Sequence, residues 1–334
     1  MTLLDPNSRT LASRPVATTN FLCACGICSR WQWWAWYDEY EASVKRELPM
    51  LKKHMSLTTL RVWLMYGVYK ADPEKLHSNM AKFLDIAAES NISIGFVFFG
   101  DCFNHAGGSV TTQCLPHKGV HNGCWMASPQ DVERQGANAS NNYAPLQSYV
   151  TSTISRFKDH PNVRWWEVFN EPARDAFSLG LRNAGYGWAK TVGPTAPVIS
   201  CWDDSNNTDI VDHHDYGTAF KSGWAKALYS DPEKGAVVTE GGSRWFQPDP
   251  GPATGAKTNQ ADQGSPLTVI NFFEALRSEK RAGKRPYVPG AIVCWEAMVG
   301  NSNTRWHWGT PAGSPEPAIP WDAWMFPDGT YSAY

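Results

Sequence analysis

The sequence lacks long apolar runs and lacks an excess of charge of either sign. No apolar stretch is long enough to cross a bilayer, so we expect no transmembrane helix. The formal net charge is −2, which gives no electrostatic basis for binding nucleic acid or an anionic membrane surface. Residues Met1 to Thr19 also lack the apolar core of a secretion signal, and we expect that any such signal has been removed.

Tryptophan and cysteine, by contrast, are abundant. The chain has 17 tryptophans, and flat indole faces suit a ligand that is partly apolar and partly hydrated, such as a sugar ring. Eight cysteines fit an oxidising compartment, which predicts a secreted, extracellular protein with disulfides. Cysteine spacing leaves the pairing of those disulfides open.

Eight apolar runs follow one another along the chain, and most are separated by segments with helical periodicity. Alternating strands and helices of this number predict a parallel barrel in which each strand is followed by a helix. We therefore predict an α/β fold, a single (β/α)8 TIM barrel domain over 1–334 with long βα loops and an irregular C-terminal tail. The predicted strands lie within Phe21–Ile27, Leu57–Tyr69, Asn91–Phe99, Val163–Glu171, Pro197–Trp202, Ile210–His214, Ala236–Glu240 and Ala291–Trp295.

Helices are predicted between most of these strands. Asp72 followed by Pro73 is a strong start signal, because aspartate caps a helix and proline fits its first position. The segment Gly100–Asn142 is instead predicted to be a long irregular loop, of the kind that is functional or clamped. The predicted helices are Glu41–His54, Pro73–Glu89, Tyr143–Phe157, Phe177–Thr191, Phe220–Tyr229 and Pro266–Lys280.

Two glutamates stand at the ends of buried strands. Glu171 precedes Pro172, which removes a backbone donor and ends the strand. Glu240 precedes two glycines, which permit a sharp turn. Active sites of parallel barrels lie at the carboxyl ends of their strands, so both carboxylates are expected at one site. A carboxylic acid and a second carboxylate are the groups that hydrolysis of a glycosidic bond requires.

The segment Trp166–Pro172, Trp-Glu-Val-Phe-Asn-Glu-Pro, resembles the fourth-strand signature of clan A glycoside hydrolases, and that of family 5 in particular. The resemblance implies a retaining β-glycosidase or glycanase that needs no cofactor. It implies that Glu171 is the acid/base and Glu240 the nucleophile. It also implies that Asn170 binds the sugar 2-hydroxyl, a contact that strengthens in the transition state.

The same resemblance implies further roles. Arg61 matches the arginine that the family places near the nucleophile, where its charge would hold Glu240 ionised. Tyr216, in His214-Asp215-Tyr216, matches the His-x-Tyr after strand six, and Trp295 matches the platform under the cleaved sugar. The predicted substrate-binding residues are Asn170, Arg61, His214, Tyr216, Trp295, His105, Trp202, Trp245 and Trp34.

Several of these residues have a plainer interpretation. Arg61 could form a surface ion pair, and His214, Tyr216 and Trp295 could be ordinary core residues. Glu167 lies four residues before Glu171, so strand alternation puts both on one face, where Glu167 could act as a support or balance charge deeper in the barrel.

Apart from Cys23-x-Cys25-x₂-Cys28, which resembles a strand with small buried thiols more than a metal clip, two segments carry residue types that bind metal ions. The first is Cys114-x₂-His117-x₃-His121-x₂-Cys124, for which a loop disulfide suits the composition better than zinc. The second is Asp212–Asp215, for which the sequence reveals no partner cluster. We therefore predict no metal site.

The predicted function is retaining hydrolysis of β-glycosidic bonds in a polysaccharide or its oligosaccharides, as in cellulases, xylanases and mannanases. The alternatives are a catalytically inactive carbohydrate-binding barrel and an exo-acting β-glycosidase on short glycans. An inverting enzyme would need its carboxyl groups at least roughly 6.5 Å apart. We expect a carbohydrate substrate, a monomer, and neither nucleic acid nor membrane as a partner.

Overall fold

The computed structural model describes residues 21–24, 31–55, 57–101, 126–140, 142–201, 207–215, 236–241, 282, 292–294, 313–315 and 330. The eight predicted strands are confirmed, each shorter than or close to its apolar run. They are β1 Phe21–Ala24, β2 Thr59–Trp63, β3 Ser93–Gly100, β4 Val163–Asn170, β5 Val198–Ile199, β6 Val211–Asp215, β7 Ala236–Gly241 and β8 Ile292–Cys294.

Four of the predicted helices are confirmed, and the structure adds others. The helices are α1 Tyr37–Met55, α2 Tyr66–Ala71, α3 Pro73–Glu89, α4 Asp131–Ser140, α5 Ala144–Phe157 and α6 Ala176–Val192, with a 3-10 helix at Trp31–Trp36. The side chain of Asp72 caps α3 by accepting a hydrogen bond from the Lys75 backbone N–H, as its sequence predicts. Among the helices of the described residues, none combines the length and the apolar character that a membrane span requires.

The apolar run Leu57–Tyr69 holds β2, as predicted, and α2 begins within the same run at Tyr66. One prediction about the helices is wrong. The predicted loop Gly100–Asn142 contains α4, whose glycine and asparagine residues lower its intrinsic helix propensity. Glu133 explains why α4 nevertheless forms, since its carboxylate accepts a hydrogen bond from the Gln130 backbone N–H, as in a capping box.

The strands form one parallel sheet in the order β5-β4-β3-β2-β1-β8-β7-β6. In that order β4 and β6 are six positions apart, which is about 29 Å in a flat sheet. However, His214 on β6 lies 2.7 Å from Glu171 at the end of β4. The backbone N–H of Asp209, just before β6, also donates to the carbonyl of Val198 on β5 at 2.9 Å. The sheet is therefore closed, and the fold is a (β/α)8 barrel.

Aromatic side chains fill the layer between β2, β3 and the helices that follow β1. Trp34 has no exposed surface, and its indole N–H donates to the carbonyl of Trp63 at 2.8 Å. Its ring stacks on Tyr37 and meets Phe83 edge to face. The prediction that Trp34 stacks on a sugar is therefore wrong. The neighbouring Trp33 is equally buried, because the 3-10 helix turns both indoles toward the core.

Candidate active site

Glu171 lies at the rim of the barrel, directly after β4. Its φ is 45°, which is the left-handed region that residues other than glycine rarely occupy. The side chain of Glu171 is 24% exposed, and its Oε1 lies 2.7 Å from His214 Nδ1. The end of the strand and the unusual backbone conformation together direct this carboxylate toward the centre of the barrel mouth.

Glu240 approaches the same point from β7. Its side chain is 10% exposed, and its Oε2 accepts a hydrogen bond from Arg61 Nη1 at 2.9 Å. The pairing of β6 with β7 shifts register between His213 and His214, so that His214 is the partner of Glu240. His214 Nδ1 lies 3.7 Å from Glu240 Oε2.

The two glutamates face each other across His214. One oxygen of each carboxylate and one ring nitrogen of His214 all lie within 4.8 Å of one another. The sequence places these residues 43 and 26 positions apart along the chain, from Glu171 to His214 and from His214 to Glu240. The structure thus brings together three residues that the sequence assigns to one site.

Arg61 on β2 donates hydrogen bonds to several side chains of this site. It is fully buried, so its interpretation as a surface ion pair is wrong. Its Nε donates to Glu167 Oε2 at 2.7 Å, its Nη2 donates to the other oxygen of Glu167, and Nη2 also donates to Asn170 Oδ1 at 2.6 Å. Its guanidinium lies over the ring of Trp63. Two strands besides its own, β4 and β7, are therefore tied to one cation.

Burial and charge shift the pKa values of these groups. Burial by itself lowers the pKa of His214, but the charge of Glu240 and the hydrogen bond to Glu171 outweigh it and raise that pKa to about 9. Burial raises the pKa of Glu167 to about 7, although Arg61 opposes this shift. Burial also acts to lower the pKa of Arg61, but the nearby charge of Glu167 raises it well above its ordinary value. His214 and Arg61 are thus cations at neutral pH.

A further buried layer lies under His214, and the sequence reasoning missed it. Cys201 Sγ, just after β5, lies 3.4 Å from His214 Nε2. Burial raises the pKa of the Cys201 thiol well above its ordinary value. Asp212 is fully buried on β6 and accepts hydrogen bonds from the backbone and hydroxyl of Thr239. The available signal was strand alternation, which places Asp212 on the same face as His214.

The ligand types for a metal ion are present, but their contacts do not suit one. The side chains of Glu167, Cys201, Asp212 and His214 offer atoms within 4.8 Å of one another. Both oxygens of Glu167 are held by Arg61, and a bound cation would lie next to that guanidinium. The cluster therefore fits a network of ion pairs better than a set of metal ligands.

Other predicted site residues fall outside the residues that the structure describes. They stay predictions, as does the interpretation of Cys114-x₂-His117-x₃-His121-x₂-Cys124 as a disulfide-containing loop. The site residues concerned are Tyr216, Trp295, His105, Trp202 and Trp245.

We expect the proton on His214 to stabilise the fold at neutral pH and to lose that effect in alkali. Its pKa in the folded protein is about 9, above the ordinary value of 6.5, so folding favours the protonated form. The contribution is complete below the ordinary value and is lost as the pH rises through about 9. Urea unfolding of wild type and His214→Gln should show a wild-type advantage that shrinks by on the order of 3 kcal/mol between about pH 6 and about pH 9.5.

His54→Gln is the matched control, because His54 lies exposed near the end of α1. It should leave the free energy of unfolding close to that of wild type at both pH values. An advantage of wild type over His214→Gln that stays constant across the range would contradict the prediction.

Comparisons with known proteins agree with the barrel. No family model and no curated protein matches the chain. It is similar to a solved structure of GH5_18 from Streptomyces cattleya in complex with GlcNAc, with 12% identity, a TM-score of 0.52, and coverage of 94% of this chain and 78% of that chain. It is also similar to the exo-β-1,4-mannosidase Op5Man5 from Opitutaceae bacterium strain TAV5, with 12% identity, a TM-score of 0.52, and coverage of 96% of this chain and 59% of that chain.

A third similar structure is the β-glucuronidase of Parabacteroides merdae, with 12% identity and a TM-score of 0.48. That match covers 87% of this chain but only 35% of the β-glucuronidase. At such low identity, likeness establishes the fold alone. The chain therefore has the (β/α)8 barrel fold of clan A, family 5-like glycoside hydrolases, as the resemblance of its fourth strand implies.

Proposed function

We propose that this protein hydrolyses β-glycosidic bonds with retention of configuration at the anomeric carbon. The observation that carries the proposal is the approach of Glu171 and Glu240, whose nearest carboxylate oxygens lie within 4.8 Å. Retaining enzymes keep their two carboxyl groups roughly 5–5.5 Å apart, whereas inverting enzymes need roughly 6.5–9.5 Å to admit a water molecule. The gap between Glu171 and Glu240 suits direct attack on the sugar.

Glu240 is the better nucleophile of the two. Arg61 donates to its Oε2 from a fully buried position, and this hydrogen bond fixes the carboxylate at the centre of the site. Glu171 is more exposed and lies at the rim, where a departing group can leave. It also contacts His214, whose proton lies within hydrogen-bond distance of the carboxylate. The Glu171–His214 pair therefore holds a proton that can pass through Glu171 to the leaving oxygen.

Hydrolysis then takes two steps. Glu240 attacks the anomeric carbon and forms a glycosyl ester while Glu171 protonates the leaving oxygen. Water attacks the ester in the second step, and Glu171 removes its proton. Arg61 donates a hydrogen bond to the amide oxygen of Asn170, and we assign the amide N–H₂ group of Asn170 as the donor to the sugar 2-hydroxyl.

The proposed substrate is a β-linked polysaccharide or its oligosaccharides. The cysteine content supports action outside the cell. One similar structure contains GlcNAc and another is an exo-β-1,4-mannosidase, so β-mannosides and β-N-acetylglucosaminides belong in a substrate screen beside glucans and xylans. An exo-acting enzyme would release single sugars from short chains, and the screen distinguishes this from internal cleavage.

The test is an activity screen on aryl β-glycosides and β-linked polysaccharides, followed by NMR of the first sugar released from the best substrate. We expect the β-anomer to appear first and to mutarotate later. Glu89→Gln, an exposed change in α3, should match wild type. An α-anomer appearing first would refute retention, and sugar binding without turnover would favour the inactive barrel.

A further inference from the structure

Arg134 on α4 connects the elements that surround Glu171. Its Nη1 donates to Asp101 Oδ1 at 2.7 Å, and its Nη2 donates to Asp175 Oδ2 at 3.0 Å and to Ser178 Oγ at 3.1 Å. Its guanidinium also lies over the ring of Phe177. We call Asp101, Arg134 and Asp175 the Arg134 clamp.

The clamp holds the chain that follows Glu171 at two points. Asp101 lies directly after β3, and its Oδ2 accepts a hydrogen bond from the Ala173 backbone N–H at 2.9 Å. Asp175 caps α6 by accepting from the Ser178 backbone N–H at 2.8 Å. Because one guanidinium binds both aspartates, it fixes the short connection from Glu171 to the start of α6.

Glu171 needs such support because of its backbone conformation. A left-handed conformation is unfavourable for a residue with a side chain, so it persists only where the surroundings determine it. Pro172 stiffens the connection on one side, and the hydrogen bond of Ala173 to Asp101 anchors the next residue. Asp101 is itself nearly buried, with a side chain only 4% exposed, and is held in place by Arg134.

We propose that Arg134 is a positioning residue for proton donation by Glu171. Through Asp101 and Asp175 it keeps the carboxylate of Glu171 turned toward the leaving oxygen, and this inference rests on the proposed function. The role needs a forked cation, because three acceptors on two elements are bound by the two terminal nitrogens of one planar group. A lysine offers a single nitrogen and cannot span them.

Loss of this positioning should slow the reaction of some substrates and not of others, according to their leaving group. A misplaced acid slows departure of a poor leaving group, such as an alkoxide, because that group must be protonated as it leaves. A dinitrophenolate leaves without a proton, so its departure is insensitive to the position of Glu171. Damage to the fold alone would slow both reactions equally.

The first experiment compares kcat/KM of wild type, Arg134→Met and Arg134→Lys on an alkyl and a 2,4-dinitrophenyl glycoside of one sugar. The value of kcat/KM reports only the steps up to formation of the glycosyl ester on Glu240. We expect a loss of about 100-fold on the alkyl glycoside and less than about 3-fold on the dinitrophenyl glycoside, for both variants. Arg156→Met, an exposed change in α5, should match wild type. Equal losses on the two substrates, or none on either, would overturn the inference.

The second experiment works without turnover, so it separates this inference from the proposed function. Glu171 Oε1 lies 2.7 Å from His214 Nδ1, and moving it away removes a hydrogen bond that holds the proton on His214. An NMR titration should therefore show a lower imidazole pKa for His214 in Arg134→Met and in Asp101→Asn than in wild type. Asp101→Asn is the milder change and guards against failure of the first variant to fold. If the pKa of His214 were unchanged in both variants, Arg134 would not position Glu171, and this outcome counts even if no substrate is found.

Discussion

Replacing Glu240 with Gln is expected to reduce kcat/KM on an aryl β-glycoside by at least about 10⁴-fold while the protein remains folded. The amide has the shape of the carboxylate but cannot attack the anomeric carbon. Its oxygen can still accept the hydrogen bond from Arg61 Nη1, which is why we expect the fold to survive. The measurement is steady-state kinetics on the best aryl glycoside, beside thermal unfolding of each variant. Glu240→Gln with wild-type turnover would remove Glu240 from the mechanism.

Azide distinguishes the roles of the two glutamates. In Glu240→Gly, azide takes the place of the missing nucleophile and attacks from its side, so the expected product is an α-glycosyl azide. In Glu171→Gly, azide attacks the glycosyl ester on Glu240 from the opposite face, so the expected product is a β-glycosyl azide. The two variants are each other's control. If Glu240→Gly gave the β-azide and Glu171→Gly the α-azide, Glu171 would be the nucleophile and Glu240 the acid/base.

The sequence predicts the location of the site because strand ends are marked locally. Pro172 ends β4 next to Glu171, and the glycines after Glu240 end β7. Once the chain is recognised as a parallel barrel, both carboxylates must lie at the same rim. Arg61 has no such local signal, and only the resemblance to family 5 implies that it lies near Glu240, to which its Nη1 donates. Its partner Glu167 comes 106 residues later, and no local pattern identifies that pairing.

The residues that sequence reasoning misassigned or missed depend on side-chain direction. Trp34 has the amphipathic ring of a sugar platform, but the 3-10 helix places it in the core. Cys201 is one of eight cysteines that suggest disulfides, yet it is a buried free thiol against His214. Arg134 lies in a segment predicted to be irregular, and its contacts depend on α4. Tertiary packing decides each of these, and composition carries no information about it.

Replacing Arg61 with Met is expected to destabilise the protein by about 3–5 kcal/mol at neutral pH and to abolish activity. The fully buried carboxylate of Glu167 would lose its bidentate partner, and Glu240 would lose the hydrogen bond that Arg61 donates to its Oε2. Urea unfolding gives the stability, and Arg46→Met, an exposed change in α1, is the matched control. A loss no larger than that of Arg46→Met would show that Arg61 does not hold the site together.

The loss of stability in Arg61→Met should also depend on pH and should be larger at high pH than at low pH. The pKa of Glu167 is already about 7 in the presence of Arg61, and loss of that cation raises it further. A raised pKa means that folding favours the protonated form, so the contribution of Glu167 to stability is present in acid and is lost as the pH rises through that pKa. The free energy of unfolding of the variant should therefore be closer to that of wild type at about pH 5 than at about pH 8.

The double variant Arg61→Met/Glu167→Gln, which removes the unpaired charge, should regain stability at the higher pH. If the deficit is the same at both pH values and in the double variant, the buried charge of Glu167 is not its cause.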